Sequence, residues 1–339
     1  MTSSDKILYI GYGFNGEPGL DSLFKHGSFT IVGVVTPPAD AHWHRRLYPK
    51  GLPVEHLARK HNIPIYQTDD NQEIYRLIKK TQPLSIMMCY YTKIISPEIL
   101  QSGPSFFNVH HGCHLPRLRG SSNTEWAVRN GINKITVSLF QVVPGLDEGD
   151  LYWEPEITIT SDETVADMRR KMNEVLRKDL GKVYAHILHP KQSSALSKQV
   201  FRRPQKERGA TYASSIREED NVIDWTRPAR KIYNLIRSGC DPEVAAVSTF
   251  YQGNPIRIWA ARMIPTTKVW EGHIPGKPVA RSDDGVEILT GDKKYTILLK
   301  EVEVNGQRMP AKQAITSIRD TLGLSQLELW RMFQALKKN

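Results

Sequence analysis

Three polar side chains that can handle protons follow apolar runs in the middle of the chain: Asn108, His110 and Asp147. The first two end a short apolar strand, and Asp147 follows a second predicted strand over residues 136–143. In an open α/β sheet, ligands bind at the carboxyl ends of the strands. We therefore expect the two strands to bring an amide, an imidazole and a carboxylate together at one edge of a sheet.

This combination of side chains suits acyl transfer from an activated donor to an amine. The imidazole of His110 can take a proton from the attacking amine, and Asp147 can orient and charge that imidazole. The carboxamide of Asn108 can donate a hydrogen bond to the oxyanion that develops. Buried histidines and aspartates are also common as ordinary core residues, so these three side chains alone leave the function open.

The elements around these residues alternate between strand and helix. The apolar patterns predict strands and helices in this order: strands at 6–11 and 30–35, a helix at 54–61, a strand at 63–66, a helix at 71–81 and a strand at 84–91. This alternation is typical of βαβ units and predicts an α/β fold with a parallel sheet.

A G-x-G-x-x-G pattern at residues 11–16 follows the first predicted strand, which alone is a weak signal for a dinucleotide. The second strand ends in Thr36 and two prolines, so it offers no acidic residue to a ribose. We interpret the glycines as a tight turn between strand and helix.

The chain is basic, with a formal net charge of +10, and residues 37–53 form a loop rich in proline, histidine and arginine. Arg45 and Arg46 could bind an anionic group of a substrate, and the overall charge could attract RNA. The same features fit a solvated loop and an ordinary basic surface. A metal site is not expected, because His42 and His44 lack further ligands at a supporting spacing.

A chain of 339 residues is too long for one ordinary core. Composition and turn signals predict a catalytic domain over residues 1–190, a polar linker over 191–207, a small β-barrel domain over 208–312 and a helical tail over 313–339. The sequence contains no apolar run long enough to span a membrane and no signal-peptide pattern. Its three scattered cysteines predict a cytoplasmic protein without a disulfide framework.

Three ordered motifs resemble those of the 10-formyltetrahydrofolate-dependent formyltransferases. They are Asn108-Val109-His110, Leu115-Pro116-Arg117-Leu118-Arg119-Gly120 and Gly145-Leu146-Asp147-Glu148-Gly149-Asp150. Further along the chain, residues 209–212, 223–225 and 232–237 are similar to the start of the family's C-terminal domain. The resemblance covers residues 6–312 and implies a Rossmann-like domain, a C-terminal barrel and a reduced folate at the sheet edge.

The resemblance also implies the roles of individual residues. Asn108, His110 and Asp147 would be catalytic, and 10-formyltetrahydrofolate would donate the formyl group. The residues implied at the folate site, largely through their backbone groups, are Met88, Cys89, Tyr90, Tyr91, Ile94, Gly145 and Asp150. Candidates for binding the substrate are Arg45, Arg46, Arg117 and Arg119.

One departure from the family concerns the register of the catalytic histidine. The family usually has four residues between this histidine and the proline of the Leu-Pro pair, whereas five separate His110 from Pro116. His111 would restore the spacing and would place Val109 where the asparagine normally lies. We favour His110, because the strand runs into it in the usual phase. A metal bound by His110, His111, Cys113 and His114 is disfavoured, because ligands so crowded cannot easily surround one tetrahedral ion.

A second departure lies after Arg237, where the family has Pro-Trp-Pro-x-Ala and this chain has residues 238–243, Ser-Gly-Cys-Asp-Pro-Glu. This change disfavours methionyl-tRNA as the acceptor, and we expect a small amine such as an amino-sugar nucleotide or an amino-acid-like compound. The basic charge favours methionyl-tRNA instead. The same motifs would also fit hydrolysis of the donor by water, and the scaffold with its basic charge would fit a non-catalytic role in binding RNA.

Overall fold

A computed structural model describes residues 5–38, 51–91, 93–190, 199–241, 244–324 and 326–336. Arg45 and Arg46 lie outside the described residues, so their role stays a prediction. The chain divides into two compact units. The first comprises Met1–Thr124, Asn133–Ile159 and Asp167–Ser214, and the second comprises Glu125–Ile132, Thr160–Ala166 and Ser215–Asn339.

The first unit is built on a mixed sheet. Its strands are β1 (Asp5–Gly11), β2 (Phe29–Thr36), β3 (Ile65–Gln67), β4 (Ser85–Cys89), β5 (Ser105–His111), β6 (Arg119–Gly120), β7 (Lys134–Gln141), β8 (Leu151–Trp153), β9 (Glu156–Thr158) and β10 (Tyr212–Ala213). The main sheet has the order β3-β2-β1-β4-β5-β7-β8, with β9 paired to β7, and β6 pairs separately with β10.

The strands from β3 to β5 are parallel, which confirms the predicted parallel-rich sheet. Every residue of β4 is buried, as are the last five residues of β1. Continuous burial of this kind arises because helices cover both faces of a parallel sheet.

Strand β7 runs antiparallel to β5, with Gln141 opposite Phe107 and Val137 opposite His111. Its carboxyl end therefore lies beside the first half of β5 and not beside the histidines. The expectation that two parallel strand ends bring His110 and Asp147 to one edge is wrong, because it assumed a parallel partner for β5.

The helices over residues 13–188 are α1 (Gly13–His26), α2 (Pro53–Lys60), α3 (Asn71–Thr81), α4 (Pro97–Leu100), α5 (Asn123–Arg129) and α6 (Val165–Leu188). Helix α1 follows β1 after one residue and approaches the sheet closely. A side chain at Gly19 would come within 2.4 Å of the Tyr9 hydroxyl and 2.6 Å of the Cys89 sulfur. This glycine therefore serves close packing of helix on sheet.

Part of the predicted linker contacts the first unit. Arg203 and Leu151 exchange backbone hydrogen bonds of 2.9 Å, and β10 follows to pair with β6. The remainder of that segment, residues 191–198, lies outside the described residues. Residues 199–213 form the sequence that we call the strap below.

The second unit contains α7 (Ala229–Ser238) and the strands β11 (Cys240–Asp241), β12 (Val244–Ala245), β13 (Ser248–Tyr251), β14 (Asn254–Pro265), β15 (Pro278–Ser282), β16 (Gly285–Leu289), β17 (Tyr295–Val304) and β18 (Gln307–Pro310). The predicted barrel is observed as an antiparallel sheet with the order β13-β14-β17-β16-β15 and β18 beside β17. Helix α7 buries Ala229, Ile232, Tyr233 and Ile236 against this sheet, a spacing that places them on one helical face.

The C-terminal segment contains two helices, α8 (Ala311–Ala314) and α9 (Gln326–Leu336). Ile315 and Leu322, which lie between them, are buried in the core of the second unit. Leu327, Trp330 and Phe333 of α9 are exposed. Within the described ranges, no helix is both long enough and apolar enough to cross a membrane.

Candidate active site

Strand β5 turns its two histidines to opposite faces of the sheet, because successive side chains of a strand alternate. Asn108 and His110 share a face with Phe106, which packs with residues of α3 and α4. His111 shares the other face with Phe107, whose ring makes an edge contact with an aromatic ring of α6. Two adjacent and chemically identical side chains thus meet different surroundings.

His110 is buried, and within the described residues one of its ring nitrogens has a hydrogen-bond partner. Its Nε2 lies 2.9 Å from the carbonyl oxygen of Leu118. A carbonyl oxygen can only accept, so Nε2 carries the proton and donates it. The Nδ1 atom has no hydrogen-bond partner among the described residues. In this tautomer Nδ1 carries a lone pair, which is the atom that a general base requires.

His111 is also buried, but it is engaged on the opposite face. The side-chain amide of Asn15, in α1, hydrogen-bonds to its Nε2. Burial, together with the nearby His110 and Arg169, lowers the pKa of His111 to about 3. This imidazole is therefore neutral at neutral pH and is a poor proton acceptor.

Asp147 lies in a loop that follows β7. The loop closes where the carbonyl oxygen of Asp150 accepts a hydrogen bond of 2.9 Å from the N–H of Gln141, the last residue of β7. The carboxylate of Asp147 accepts a hydrogen bond of 2.8 Å from the backbone N–H of Gly120. Its own backbone has a φ of 55°, in the left-handed region that non-glycine residues rarely adopt.

The sequence predicted that Asp147 orients His110, and the structure corrects this detail. Among the described residues, the carbonyl of Leu118 orients His110, while Asp147 bonds to Gly120. The two catalytic candidates are thus anchored to one three-residue segment, and no hydrogen bond between their side chains is found among the described residues.

Asn108 lies two residues before His110 on the same face. Its side-chain oxygen accepts from the backbone N–H of Val109 at 2.9 Å. Since the oxygen is engaged, the amide nitrogen is the part of the side chain available to donate. It donates to no residue in the described part of the chain, so it can serve an incoming oxyanion.

Arg119, which was predicted to bind substrate, is 1% exposed. Its guanidinium forms an ion pair with Glu207 at 2.9 Å and donates to Gln205 at 3.2 and 3.3 Å. A guanidinium enclosed in this way holds the strap and is not presented to a substrate, so this prediction is wrong. Arg117 is exposed, as a residue that binds a substrate must be.

Comparison with known proteins identifies the family. Residues 5–183 match the formyl transferase model, and residues 215–319 match the model of the formyl transferase C-terminal domain. The chain belongs to the formyl transferase family. The family assignment confirms the predicted class of enzyme, a formyltransferase.

Relatives match the chain through both units. A methionyl-tRNA formyltransferase of Bacillus mycoides (strain KBAB4) is 29% identical over 323 residues, which cover 94% of this chain and 97% of that protein. A methionyl-tRNA formyltransferase of Bacillus thuringiensis subsp. konkukian (strain 97-27) is 28% identical with the same coverage.

Solved structures share the fold at lower identity. WlaRD, a sugar 3N-formyl transferase solved in the presence of dTDP and 5-N-formyl-THF, superposes with a TM-score of 0.60 at 15% identity, over 87% of this chain and 97% of that one. HypX from Aquifex aeolicus in complex with tetrahydrofolic acid has a TM-score of 0.58 at 16% identity, over 93% of this chain. The present chain spans about half the length of HypX, 48%.

The residues predicted at the folate site of this formyltransferase fall into two groups. The side chains of Met88 and Cys89 are buried in the sheet, so only their backbone could meet a ligand. Tyr90 has a φ of 64°. The ring of Tyr91 makes an edge contact with the Tyr12 ring, with centroids 5.3 Å apart. The buried hydroxyl of Tyr91 has no partner among the described residues.

The other predicted folate residues lie in exposed loops. Ile94 is 80% exposed, which is unusual for a large apolar side chain. Gly145 has a φ of 128°, a conformation that requires glycine. Asp150 forms an ion pair of 2.8 Å with Arg202, so its carboxylate is engaged by the strap.

Sequence reasoning missed the groups that hold the site together. Leu118 and Gly120 act through their backbones, and a backbone acceptor leaves no signal in residue type. Gln205 lies in the predicted linker, yet its Nε2 donates to the carbonyl oxygens of Asp147 at 2.7 Å and Gly149 at 2.8 Å. Only the turn residues of the Leu-Pro-x-x-Arg-Gly motif indicated a constrained segment.

Proposed function

We propose that this formyltransferase moves a formyl group from 10-formyltetrahydrofolate to a primary amine, with His110 as the proton acceptor. The observation that supports this most is the state of the His110 ring. Its Nε2 is held by a carbonyl oxygen, which directs the Nδ1 lone pair away from that bond. The amide nitrogen of Asn108, which donates to none of the described residues, lies on the same face of β5.

The residues present are suited to a folate. Exposed apolar side chains at Ile94 and Leu146 offer surface to a flat heterocycle. The buried hydroxyl of Tyr91 has no hydrogen-bond partner in the described part of the chain and is available to a polar edge of the ligand. When bound, the donor supplies a formyl carbon that is activated for attack.

The chain's own residues then perform the proton transfers. As the amine nitrogen bonds to the formyl carbon, Nδ1 of His110 takes the proton that the amine loses. The amide of Asn108 donates to the formyl oxygen as it becomes negative. Asp147 supplies a negative charge, fixed by Gly120, that favours the protonated imidazole. His110 returns the proton to the folate nitrogen N10 as the bond from N10 to the formyl carbon breaks, which leaves the formamide and tetrahydrofolate.

The proposed acceptor is a small amine, such as an amino-sugar nucleotide or an amino-acid-like compound. This follows from the segment after Arg237, which differs from the family, and from the arginines beside it. Arg237 is 4% exposed and donates to Asn234 and to the carbonyl of Glu163. Burial lowers the pKa of Arg237 and of Arg129. The guanidinium of Arg237, enclosed in this way, is not available to RNA phosphates.

Methionyl-tRNA is the second candidate acceptor. The relatives that match 97% of their length are named methionyl-tRNA formyltransferases, and the chain carries a net charge of +10. Both observations favour a polyanionic acceptor.

Release of tetrahydrofolate decides between these acceptors. The enzyme is given the donor with methionyl-tRNA, with a panel of small amines, or alone. We expect turnover with a small amine that changes only a few-fold between about 50 and about 200 mM salt. A tRNA acceptor would lose roughly 10³-fold in affinity over that range, if six or more phosphates are bound. Turnover with the donor alone would identify water as the acceptor, and no release under any condition would contradict formyl transfer.

We also propose a cytoplasmic location. All three cysteines, Cys89, Cys113 and Cys240, are free thiols. Burial raises the pKa of the Cys89 and Cys113 thiols, which keeps them in the unreactive protonated form. Fractionation of cells with an antibody against the protein would test this location.

A further inference from the structure

We propose that Gln205 of the strap is a positioning residue for formyl transfer. It acts through Asp147, so this inference rests on the proposed function of that carboxylate. The Nε2 group of Gln205 donates to the carbonyl oxygens of Asp147 at 2.7 Å and of Gly149 at 2.8 Å. One side-chain amide therefore fixes the backbone on both sides of Glu148.

The opposite end of the same amide is also engaged. The Oε1 atom of Gln205 accepts from Nε and Nη2 of Arg119, at 3.3 and 3.2 Å. The amide nitrogen faces two acceptors and the amide oxygen faces two donors, so only one orientation of the side chain satisfies all four contacts. Gln205 is thus locked between the Asp147 loop and Arg119.

These contacts close a ring around Asp147. Arg119 precedes Gly120, whose N–H holds the Asp147 carboxylate at 2.8 Å. Gln205 connects the Arg119 side chain back to the Asp147 carbonyl. The path begins at the Asp147 carboxylate, passes through Gly120, Arg119 and Gln205, and ends at the Asp147 carbonyl. Both groups of Asp147 are therefore held by one set of hydrogen bonds.

The conformation of Asp147 explains why this ring is needed. Its φ of 55° is disfavoured for a residue with a side chain and persists where neighbouring groups hold it. Gly149 packs closely against β7, since a Cβ atom there would lie 1.6 Å from the Gln141 carbonyl oxygen. Without the Gln205 donor, the left-handed backbone of Asp147 loses one of the groups that hold it, and we expect its carboxylate to shift from the Gly120 N–H.

The first test compares Gln205→Glu and Gln205→Met with Arg203→Gln as a matched control. Glutamate keeps the shape and the contact with Arg119 but places an acceptor against two carbonyl oxygens, and methionine keeps only the length. Arg203 lies on the same strap and bonds to Glu154 at 2.7 Å, away from Asp147. All three variants are checked by circular dichroism and thermal melting.

We expect both Gln205 variants to lose roughly 10- to 100-fold in kcat, the cost of a small misplacement of a catalytic group. The KM values for donor and amine should stay within about threefold, because no substrate contact is lost. Arg203→Gln should keep wild-type kcat. A folded Gln205 variant with wild-type kcat, or one in which only KM rises, would overturn the inference.

A double-mutant cycle separates this inference from the proposed function. If Gln205 acts through the Asp147 carboxylate, adding Gln205→Glu to Asp147→Asn should lower kcat by less than about threefold further. A full multiplicative loss would show that Gln205 acts elsewhere. If Asp147→Asn alone keeps wild-type kcat, the proposed role of the carboxylate fails, whatever Gln205 does.

Discussion

The two faces of strand β5 show how one residue type takes two roles. On one face, His110 donates from Nε2 to the Leu118 carbonyl and keeps Nδ1 without a partner among the described residues. On the other, Nε2 of His111 is held by Asn15, and burial lowers its pKa to about 3. Both rings are buried to the same degree, so burial alone does not distinguish them.

Both rings are bonded through Nε2, and what distinguishes the two histidines is whether the partner of that nitrogen accepts or donates. A carbonyl partner fixes a proton on Nε2 and leaves a basic nitrogen, whereas an amide donor occupies the basic nitrogen itself. The face of His110 also carries Asn108 and faces the segment that holds Asp147. The face of His111 packs against α1 and α6, and we therefore assign His111 a structural role.

The largest expected effect comes from removing the proton acceptor. His110→Gln should lower kcat by roughly 10³-fold, since a positioned general base contributes that order of acceleration. The measurement is steady-state release of tetrahydrofolate with the preferred amine. Its matched control is His111→Gln, for which we expect kcat within about tenfold of wild type. A larger loss for the control than for His110→Gln would reverse the assignment of the two faces.

A smaller loss is expected from neutralising the carboxylate. Asp147→Asn keeps an acceptor for the Gly120 N–H, and asparagine tolerates the left-handed backbone. Only the charge disappears, so kcat should fall by roughly 10²-fold while donor binding is kept. Binding of the donor, followed by fluorescence, serves as the control for folding. Unchanged turnover in a variant that binds donor would contradict the role of Asp147.

The opposite face should affect stability and its dependence on pH. The folded pKa of His111, about 3, lies below the usual value of 6.5. The unfolded chain therefore binds more protons, and stability is complete above pH 6.5 and is lost as the pH falls toward 3. From about pH 7.5 to about pH 5, wild type should lose on the order of 2 kcal/mol more than His111→Gln.

Denaturant unfolding at the two pH values measures this difference. The His111→Gln variant removes the titrating ring and keeps an amide that can bond to Asn15. Equal pH dependence in the variant and in the wild type would mean that His111 is charged or exposed in the folded protein.

The smallest effect is expected from the partner of His111. Asn15→Ala leaves the buried Nε2 of His111 without its donor, which should cost about 1 kcal/mol of unfolding free energy. The measurement is the denaturant midpoint at neutral pH. A loss above about 4 kcal/mol would show that Asn15 supports more than this one bond.

The sequence was sufficient to predict the parts that depend on residue pattern. Apolar periodicity predicted the alternating strands and helices of the first unit, and the phase of β5 favoured His110 over His111. Ordered motifs predicted the family, because glycine, proline and charged residues in fixed order mark a particular turn.

Features that depend on long-range pairing could not be predicted. Nothing in residues 134–141 distinguishes an antiparallel from a parallel partner of β5. The predicted path of the chain to Asp147 was therefore wrong. Arg119 was predicted to bind substrate because the sequence shows that an arginine is charged but does not show whether it is buried. The strap looked like a linker, because its polar composition does not reveal that Gln205 bonds to the Asp147 loop.

The state of the His110 ring is tested most directly by nitrogen NMR of protein labelled with ¹⁵N-histidine. The His110→Gln and His111→Gln variants assign the signals of the two rings. At about pH 8.5, we expect His110 to have a protonated Nε2 and an unprotonated Nδ1, the lone pair that accepts the proton of the amine. A proton on Nδ1 with an unprotonated Nε2 would contradict this mechanism, because the nitrogen proposed as the base would then be a donor.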